Sequence, residues 1–153
     1  MEHLRIRLDI EELNAAFMHH LDHGEIDALV ALFTEEAVYT HGERRSVGHA
    51  QIRRLFENRA SAGVRTVRHL GSGLRIHIDG PDRARGSSVC LTFAHDGPAP
   101  APHATAHLVA DFIDSYERDA GGRWRIARRH IERIFVAPGN PGPVGLGPQG
   151  GST

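Results

Sequence analysis

Two residues that lie far apart in the chain, Asp22 and His69, are suited to acid–base chemistry. A histidine imidazole titrates near neutral pH, so it can remove a proton beside a leaving group. A buried carboxylate on the other ring nitrogen fixes the tautomer and stabilises the imidazolium that forms. We therefore hypothesise that Asp22 and His69 form an acid–base pair. This pairing requires the fold to bring the end of a helix against a strand.

Asp22 lies among three further histidines, His19, His20 and His23, in a pattern that suggests a metal site. A helix places His19 and His23 on one face, as a zinc site requires, but no other ligand is evident beside them. We interpret the group as a solvated helix end and expect no metal. Cys90 is the only cysteine, which excludes an intramolecular disulfide and a cysteine zinc site. Its apolar surroundings predict a position in the core.

The composition limits the partners and the location of the protein. Its 153 residues suffice for one domain with a substantial core, and 18 arginines nearly balance 19 acidic residues. No global charge therefore draws the protein to nucleic acid or to an acidic membrane. The N-terminus has no apolar signal region, and no segment approaches the length of a membrane span. We therefore expect a cytoplasmic protein.

The pattern of apolar residues predicts three helices followed by strands. The first helix covers residues 3–21, and its apolar stripe is formed by Leu4, Leu8, Leu13, Phe17 and Leu21. Gly24 ends this helix, and further helices are predicted over 25–33 and 49–59. A short strand is predicted over 37–41, with a return turn over 42–48. Four long strands are predicted over 66–79, 83–95, 103–118 and 123–136.

Helices that precede a run of antiparallel strands are typical of an α+β fold. The apolar alternation of the second long strand is supplied by Val89, Leu91 and Phe93. A curved sheet with three helices against its concave face leaves a pocket between helix and sheet. Residues 1–137 form this domain. The Pro- and Gly-rich residues 138–153 cannot build a core, so we predict a flexible tail or an arm that lies on a partner subunit.

Four stretches carry a resemblance to a known family. They are the run from Asp22 through Gly24 and Asp27 to Tyr39, Gly48-His-Ala-Gln-Ile, Arg68-His69-Leu-Gly-Ser, and Tyr116-Glu-Arg-Asp-Ala-Gly-Gly-Arg-Trp-Arg-Ile. In this order and at these spacings the sequence resembles SnoaL-like proteins of the nuclear-transport-factor-like superfamily over residues 5–136. The resemblance implies an α+β cone, in which a curved mixed sheet wraps around three N-terminal helices and encloses an apolar pocket. It also implies a homodimer or a higher homo-oligomer, formed across the outer face of the sheet.

The motifs are most similar to the dehydratase–dehydrochlorinase branch, in which an Asp at the end of the first helix pairs with a His on the first long strand. Asp22 and His69 occupy these two positions, which implies that His69 is a general base and Asp22 its orienting partner. The implied protein is a cofactor-independent lyase or isomerase that acts on a small hydrophobic cyclic substrate. A dehydratase of the scytalone type would carry a tyrosine beside the helix Asp, whereas Leu21 and His23 flank Asp22.

Three alternatives stay open at this point. The same pair would assist the aldol closure of a polyketide cyclase. The fold also occurs in non-catalytic ligand-binding or accessory subunits, such as the β chains of ring-hydroxylating dioxygenases. An Asp22–His69 hydrogen bond would otherwise serve only to tie helix to sheet.

Several further residues are candidates for substrate contacts. Tyr39 follows the second helix and can donate a hydrogen bond to a carbonyl. Either His107 or Asp111 is expected to reach the pocket, although strand parity does not tell which face is inside. Arg129 lies five residues after Trp124, where several relatives place a polar or basic group that faces the pocket. The core or cavity wall is expected to be formed by Phe17, Met18, Phe56 and Phe112.

Overall fold

The computed structural model describes residues 1–138. Its three helices are α1 (Glu2–His23), α2 (Ile26–Val30) and α3 (Gly48–Ser61). Its six strands are β1 (Phe33–His41), β2 (Arg44–Val47), β3 (Arg65–Ile78), β4 (Arg83–Asp96), β5 (Ala106–Arg118) and β6 (Trp124–Val136). The three predicted helices and the four predicted long strands are thus present. The predicted tail, 138–153, lies outside the described residues except for Pro138.

The six strands form one open, curved sheet in the order β2-β1-β6-β5-β4-β3. All neighbouring strands are antiparallel except β1 and β6, which run parallel. The sheet is therefore mixed, and the predicted α+β cone is confirmed. None of the three helices has both the length and the apolar character that spanning a membrane requires.

The chain makes a sharp turn between the first two helices. α1 ends at Gly24, which adopts the left-handed conformation (φ 68°, ψ 25°) that glycine tolerates best, and its N–H donates to the carbonyl of His20. α2 is only five residues long, so the predicted helix over 25–33 was too long. Its end is set by the sheet, because Ile126 donates its N–H to the carbonyl of Leu32 and Phe33 pairs with Ile126 in β6. Strand pairing here outweighs the helical pattern.

The buried face of α1 differs from the predicted stripe. Ile6, Ile10, Leu13 and Phe17 are buried, whereas Leu4 and Leu8 are 57% and 53% exposed. The step from Leu8 to Leu13 is five residues, which rotates the next side chain about 140° away from the same face at 3.6 residues per turn. Leu13 and Phe17 therefore align with Ile6 and Ile10 rather than with the two earlier leucines.

The sheet carries apolar side chains on both faces. On β4 the buried face consists of Ala84, Ser88, Cys90 and Thr92. The apolar alternation recognised in the sequence, Val89 to Phe93, lies on the opposite, outer face. There Leu70, Leu91, Val109 and Phe135 are aligned in register across β3, β4, β5 and β6, and we call them the outer-face row. Leu70 is 54% exposed and Phe135 is 69% exposed.

A fully buried ion pair between β5 and β6 is linked to α1 by hydrogen bonds of Asn14. The carboxylate of Asp114 on β5 accepts hydrogen bonds from Arg129 Nε at 2.9 Å and Arg129 Nη2 at 2.8 Å, and both side chains are 0% exposed. Tyr116 donates to Asp114 at 2.6 Å, and Asn14 on α1 accepts from Arg129 and donates to Tyr116. The guanidinium carbon of Arg129 lies 4.3 Å and 4.5 Å from the ring centroids of Phe17 and Phe112.

This ion pair gives a prediction about stability. Arg129→Met leaves the Asp114 carboxylate buried without its cation, so we expect the free energy of unfolding to fall by about 3–5 kcal/mol. Adding Asp114→Leu removes the stranded charge and should recover part of the loss. Urea unfolding followed by circular dichroism measures both effects. The control is Arg5→Ala, which removes an exposed ion pair with Asp9 on α1 and should change little. Equal stability of Arg129→Met and the native chain would contradict this account.

Candidate active site

The structure brings Asp22 and His69 together. Asp22 lies in the last turn of α1, and one carboxylate oxygen, Oδ1, accepts a hydrogen bond from His69 Nδ1 at 2.6 Å. The other oxygen, Oδ2, accepts from the backbone N–H of His69 at 3.0 Å. Both side chains are nearly buried, at 6% and 7% exposed. The contact expected from the sequence is therefore present, while the catalytic role of the two residues stays a prediction.

The hydrogen bonds of His69 define its tautomer. A carboxylate accepts only, so the proton resides on Nδ1 and the lone pair on Nε2. Within the part of the chain that the structure describes, Nε2 has no hydrogen-bond partner, and the ring lines a cavity. Burial lowers the pKa of His69, with a smaller contribution from the positive charges of Arg59 and Arg65, although the Asp22 hydrogen bond opposes the shift. His69 is therefore neutral at pH 7, as a general base must be.

The cavity beside His69, which we call the inner cavity, lies between the helices and the concave face of the sheet. The space that can hold the centre of a water molecule amounts to about 40 Å³, so the cavity is narrow. Most of its wall is apolar and includes Leu55, Phe56, Leu108, Ala110, Phe112 and Ile131. A second, more open cavity of about 210 Å³ adjoins it and shares Leu21, Phe56, Arg59 and Arg65. We call this second cavity the mouth.

Two polar groups of the inner cavity, Tyr39 and Cys90, are kept protonated. Burial raises the pKa of Tyr39 to about 12, so its hydroxyl is a hydrogen-bond donor at neutral pH. No residue of the described chain accepts a hydrogen bond from that hydroxyl. Burial likewise raises the pKa of Cys90 to about 11, which leaves little thiolate to act as a nucleophile. The cavity thus offers a proton donor and a base.

His107 reaches the inner cavity because of a β-bulge. Thr92 pairs with Leu108 and Phe93 pairs with Ala106, so His107 is the extra residue between them. In a regular strand, successive side chains alternate between the two faces, which would place His107 on the outer face together with Asp111. The bulge turns its side chain to the cavity, whereas Asp111, opposite Val89 in register, does not line it. His107 Nε2 lies 3.2 Å from Arg65 Nη2.

The other predicted contact residues divide into two groups. Tyr39, Phe56 and Phe112 line the inner cavity. Phe17 and Arg129 lie behind its wall, where they pack against Phe112 and each other. Met18 lines a different cavity, between α1 and β3, which His69 also lines. The structure therefore places Arg129 in the core rather than at the cavity surface, because its charge is taken up by Asp114.

Three charged or titratable residues of the inner cavity were not predicted from the sequence, although the position of each one gave a signal. Arg59 follows Ile52 and Phe56 at positions i+7 and i+3, which puts it on the buried face of α3. Arg65 has the same strand parity as His69, and His41 has the same parity as Tyr39. A charged or titratable residue at a position that faces the core indicates a functional cavity. Burial lowers the pKa of His41 to about 4, and its Nε2 is buried without a hydrogen-bond partner among the described residues.

The histidines beside Asp22 also gain a neighbour that the sequence did not reveal. The turn at Gly24 brings Glu25 onto His20, and side-chain nitrogen and oxygen atoms of His19, His20 and Glu25 lie within 4.8 Å of one another. These three side chains have the atoms that a metal ion prefers, but His19 and Glu25 are exposed at the protein surface. The His20–Glu25 contact also explains why the pKa of Glu25 is lowered. The group lies apart from the inner cavity.

Comparison with known protein families identifies the family of this chain. The family model of the SnoaL-like domain matches residues 2–130. The chain belongs to the SnoaL-like family. The resemblance seen in the four sequence stretches is thereby confirmed. No curated protein matches the sequence.

Solved structures agree with the SnoaL-like fold. A protein from Novosphingobium aromaticivorans, provisionally named a scytalone dehydratase, is 19% identical with a TM-score of 0.81, over 99% of this chain and 98% of the other. LinA is 20% identical with a TM-score of 0.76, over 90% and 93%. ActVI-ORFA from Streptomyces coelicolor is 18% identical with a TM-score of 0.74, over 86% and 98%. At these identities the likeness shows the fold.

The geometry of Asp22 and His69 gives a second prediction. In Asp22→Asn the carboxylate that favours the imidazolium is lost, so the pKa of His69 should fall further below its ordinary value. The pH titration of the His69 ring nitrogens by NMR, assigned with His69→Gln, measures this change. The matched control is Asp27→Asn, which alters an exposed carboxylate on α2. A titration of His69 that is identical in Asp22→Asn and the native chain would rule out the hydrogen bond.

Proposed function

We propose that the protein is a cofactor-independent lyase or isomerase in which His69 is the general base and Asp22 its orienting partner. The observation that supports this proposal is the 2.6 Å contact between Asp22 Oδ1 and His69 Nδ1, with the ring lining a narrow, largely apolar cavity. A hydrogen bond that only tied helix to sheet would not require a cavity beside the His69 ring. The protein belongs to the SnoaL-like family, and its fold is a curved mixed sheet with three helices.

A dehydration illustrates the proposed step. His69 Nε2 takes the proton from the carbon next to a substrate carbonyl, and the electron pair of that C–H bond moves to form an enolate. The enolate electrons then form a carbon–carbon double bond as the neighbouring C–O bond breaks. The imidazolium returns its proton to the departing hydroxide, which leaves as water. His69 ends neutral, so no external base or cofactor is consumed.

Tyr39 is positioned to assist this step. Its hydroxyl is protonated, lines the inner cavity and lacks a protein acceptor among the described residues. A donor of this kind stabilises the negative charge that develops on an enolate oxygen. The apolar wall suits a small ring, in keeping with a hydrophobic cyclic substrate. An aldol closure of the cyclase type begins with the same removal of a proton, so one experiment addresses both reactions.

The proposed base gives a third prediction. The protein, incubated in D₂O with a panel of small cyclic ketones and β-hydroxy acids, should exchange an α-hydrogen or eliminate water from at least one compound. Mass spectrometry measures both outcomes. The rate should rise with pH through the pKa of His69 and reach a plateau near neutrality, because only the neutral ring accepts a proton. His69→Gln should abolish the activity, and Asp22→Asn should reduce it at least about a hundredfold.

The control for this experiment is a histidine variant outside the cavity. His77→Gln changes an exposed histidine of β3 and should leave the rate unchanged. A panel in which the native chain never exceeds His69→Gln would contradict the proposed chemistry. The protein would then fit the alternative of a binding or accessory subunit better.

We also propose that the protein forms a homodimer through the outer-face row. The row consists of Leu70, Leu91, Val109 and Phe135, one apolar residue on each of four adjacent strands. A continuous apolar band on an otherwise solvated sheet face is typical of an interface. A two-fold axis would place the row of one copy on that of the other, so one patch serves both subunits.

This interface gives a fourth prediction. The native chain of 16.8 kDa should have twice that mass in sedimentation equilibrium. Phe135→Glu and Leu70→Glu should shift it to the monomer, because a carboxylate buried in the interface has no partner. Leu4→Glu is the matched control, since Leu4 is similarly exposed but lies on α1. A native chain of monomer mass, or an equal effect of all three variants, would exclude this interface.

A further inference from the structure

Arg59 stands at the junction of the mouth and the inner cavity and lines both. Within residues 1–138 it has neither an ion pair nor a hydrogen bond with a protein group. The described carboxylate that acts on its charge is that of Asp22, which already accepts two hydrogen bonds from His69. Burial lowers the pKa of Arg59, as expected for a cation without a counter-ion.

Arg65 lines the same junction and is also incompletely satisfied. Its Nε and Nη1 atoms are buried and lack a hydrogen-bond partner in the described part of the chain. Nη2 lies 3.2 Å from His107 Nε2. The carboxylate of Asp96 is 3.6 Å from Nε, beyond a good hydrogen bond, and its side chain is 85% exposed to water. Asp96 therefore screens the charge of Arg65 only weakly.

Positive charge accumulates at this junction. Arg59 and Arg65 each disfavour the protonated forms of His69 and His107, and Arg65 lowers the pKa of Arg59. Buried donors of charged groups are costly when they are left without acceptors. Such groups are retained where a ligand supplies the acceptor, and a guanidinium matches a carboxylate with two parallel hydrogen bonds.

We propose that the ligand of this pocket is a small organic acid whose carboxylate binds Arg59 and Arg65 while its apolar body enters the inner cavity. The apolar wall beyond the junction, formed by residues such as Phe56, Leu108 and Phe112, gives that body a place. A bare inorganic anion would leave this wall in contact with water. The role of this acid as a substrate depends on the proposed function. The anion site depends only on the two arginines.

The charge of the ligand can be tested on the native protein. Isothermal titration calorimetry at low salt compares benzoate and cyclohexanecarboxylate with the neutral amides of the same shape. We expect a carboxylate to bind at least about tenfold more tightly than its amide, because hydrogen bonds between a guanidinium and a carboxylate are stronger than those to a neutral amide. The difference should shrink as salt is added. Sulfate is titrated as a third ligand and should bind more weakly than the carboxylates.

Matched variants locate the site. Arg59→Gln and Arg65→Gln should each weaken carboxylate binding at least about tenfold and leave amide binding unchanged. The controls are Arg54→Gln on α3 and Arg75→Gln on β3, two exposed arginines that do not line the cavity. Circular dichroism and thermal melting show whether each variant is folded. If an arginine variant does not fold, the comparison of carboxylate with amide binding to the native chain still tests whether the ligand must carry a negative charge.

Each outcome bears on the proposal. Equal affinity for acid and amide, no binding of any carboxylate, or sulfate binding as tight as that of benzoate overturns the assignment to an organic acid. His69→Gln separates this result from the proposed function, since it should bind carboxylate normally while it lacks exchange activity. If the native protein is inactive but still binds carboxylate through Arg59 and Arg65, the anion site is supported and the proposed lyase activity is rejected. If the native protein is active but binds carboxylate and amide equally, the anion site is rejected and the lyase activity is supported.

Discussion

The burial of one arginine governs the arrangement of this domain. Arg129 on β6 has no exposed surface, so its charge must be matched inside the protein. Asp114 on β5 supplies the charge, and Asn14 on α1 supplies a further acceptor. The network thereby fixes α1 against the concave face of the sheet. Asp22 follows Asn14 by about two helical turns, or roughly 12 Å along the axis. A helix held at Asn14 consequently delivers Asp22 to His69.

Much of the fold and the central pair of the site could be predicted from the sequence. Helix stops, turns and strand periodicity located the elements, and the four family stretches placed Asp22 and His69. It was harder to predict which face of each helix or strand is buried. Leu4 and Val89 belong to apolar patterns yet lie outside the core, because periodicity gives the spacing of a face and not its direction. The length of α2 depends on a parallel pairing with a strand about ninety residues later, which no local pattern contains.

The cavity departs from the rules that govern the rest of the core, and this is where local sequence reasoning failed. Arg59 and Arg65 occupy inward positions that would ordinarily hold apolar residues, and His107 is turned inward by a bulge. Sequences that specify one structure satisfy their local preferences nearly everywhere, and the exceptions concentrate at functional sites. The positive charges of Arg59 and Arg65 also lower the pKa of His69, although burial is the larger cause. In the proposed complex the same two arginines would bind the ligand and favour the neutral ring of His69.

The parallel pairing of β1 with β6 has a consequence for how the domain is made. β1 begins at Phe33, but β6, its parallel neighbour in the sheet, begins at Trp124 and ends at Val136. Contacts between residues so distant in sequence slow folding, because the intervening chain must be ordered before they form. During synthesis the helices and β1 emerge long before their central partner strand. The apolar surface of the N-terminal segment consequently stays uncovered until β6 has left the ribosome, and in that interval the segment is most exposed to aggregation and to chaperones.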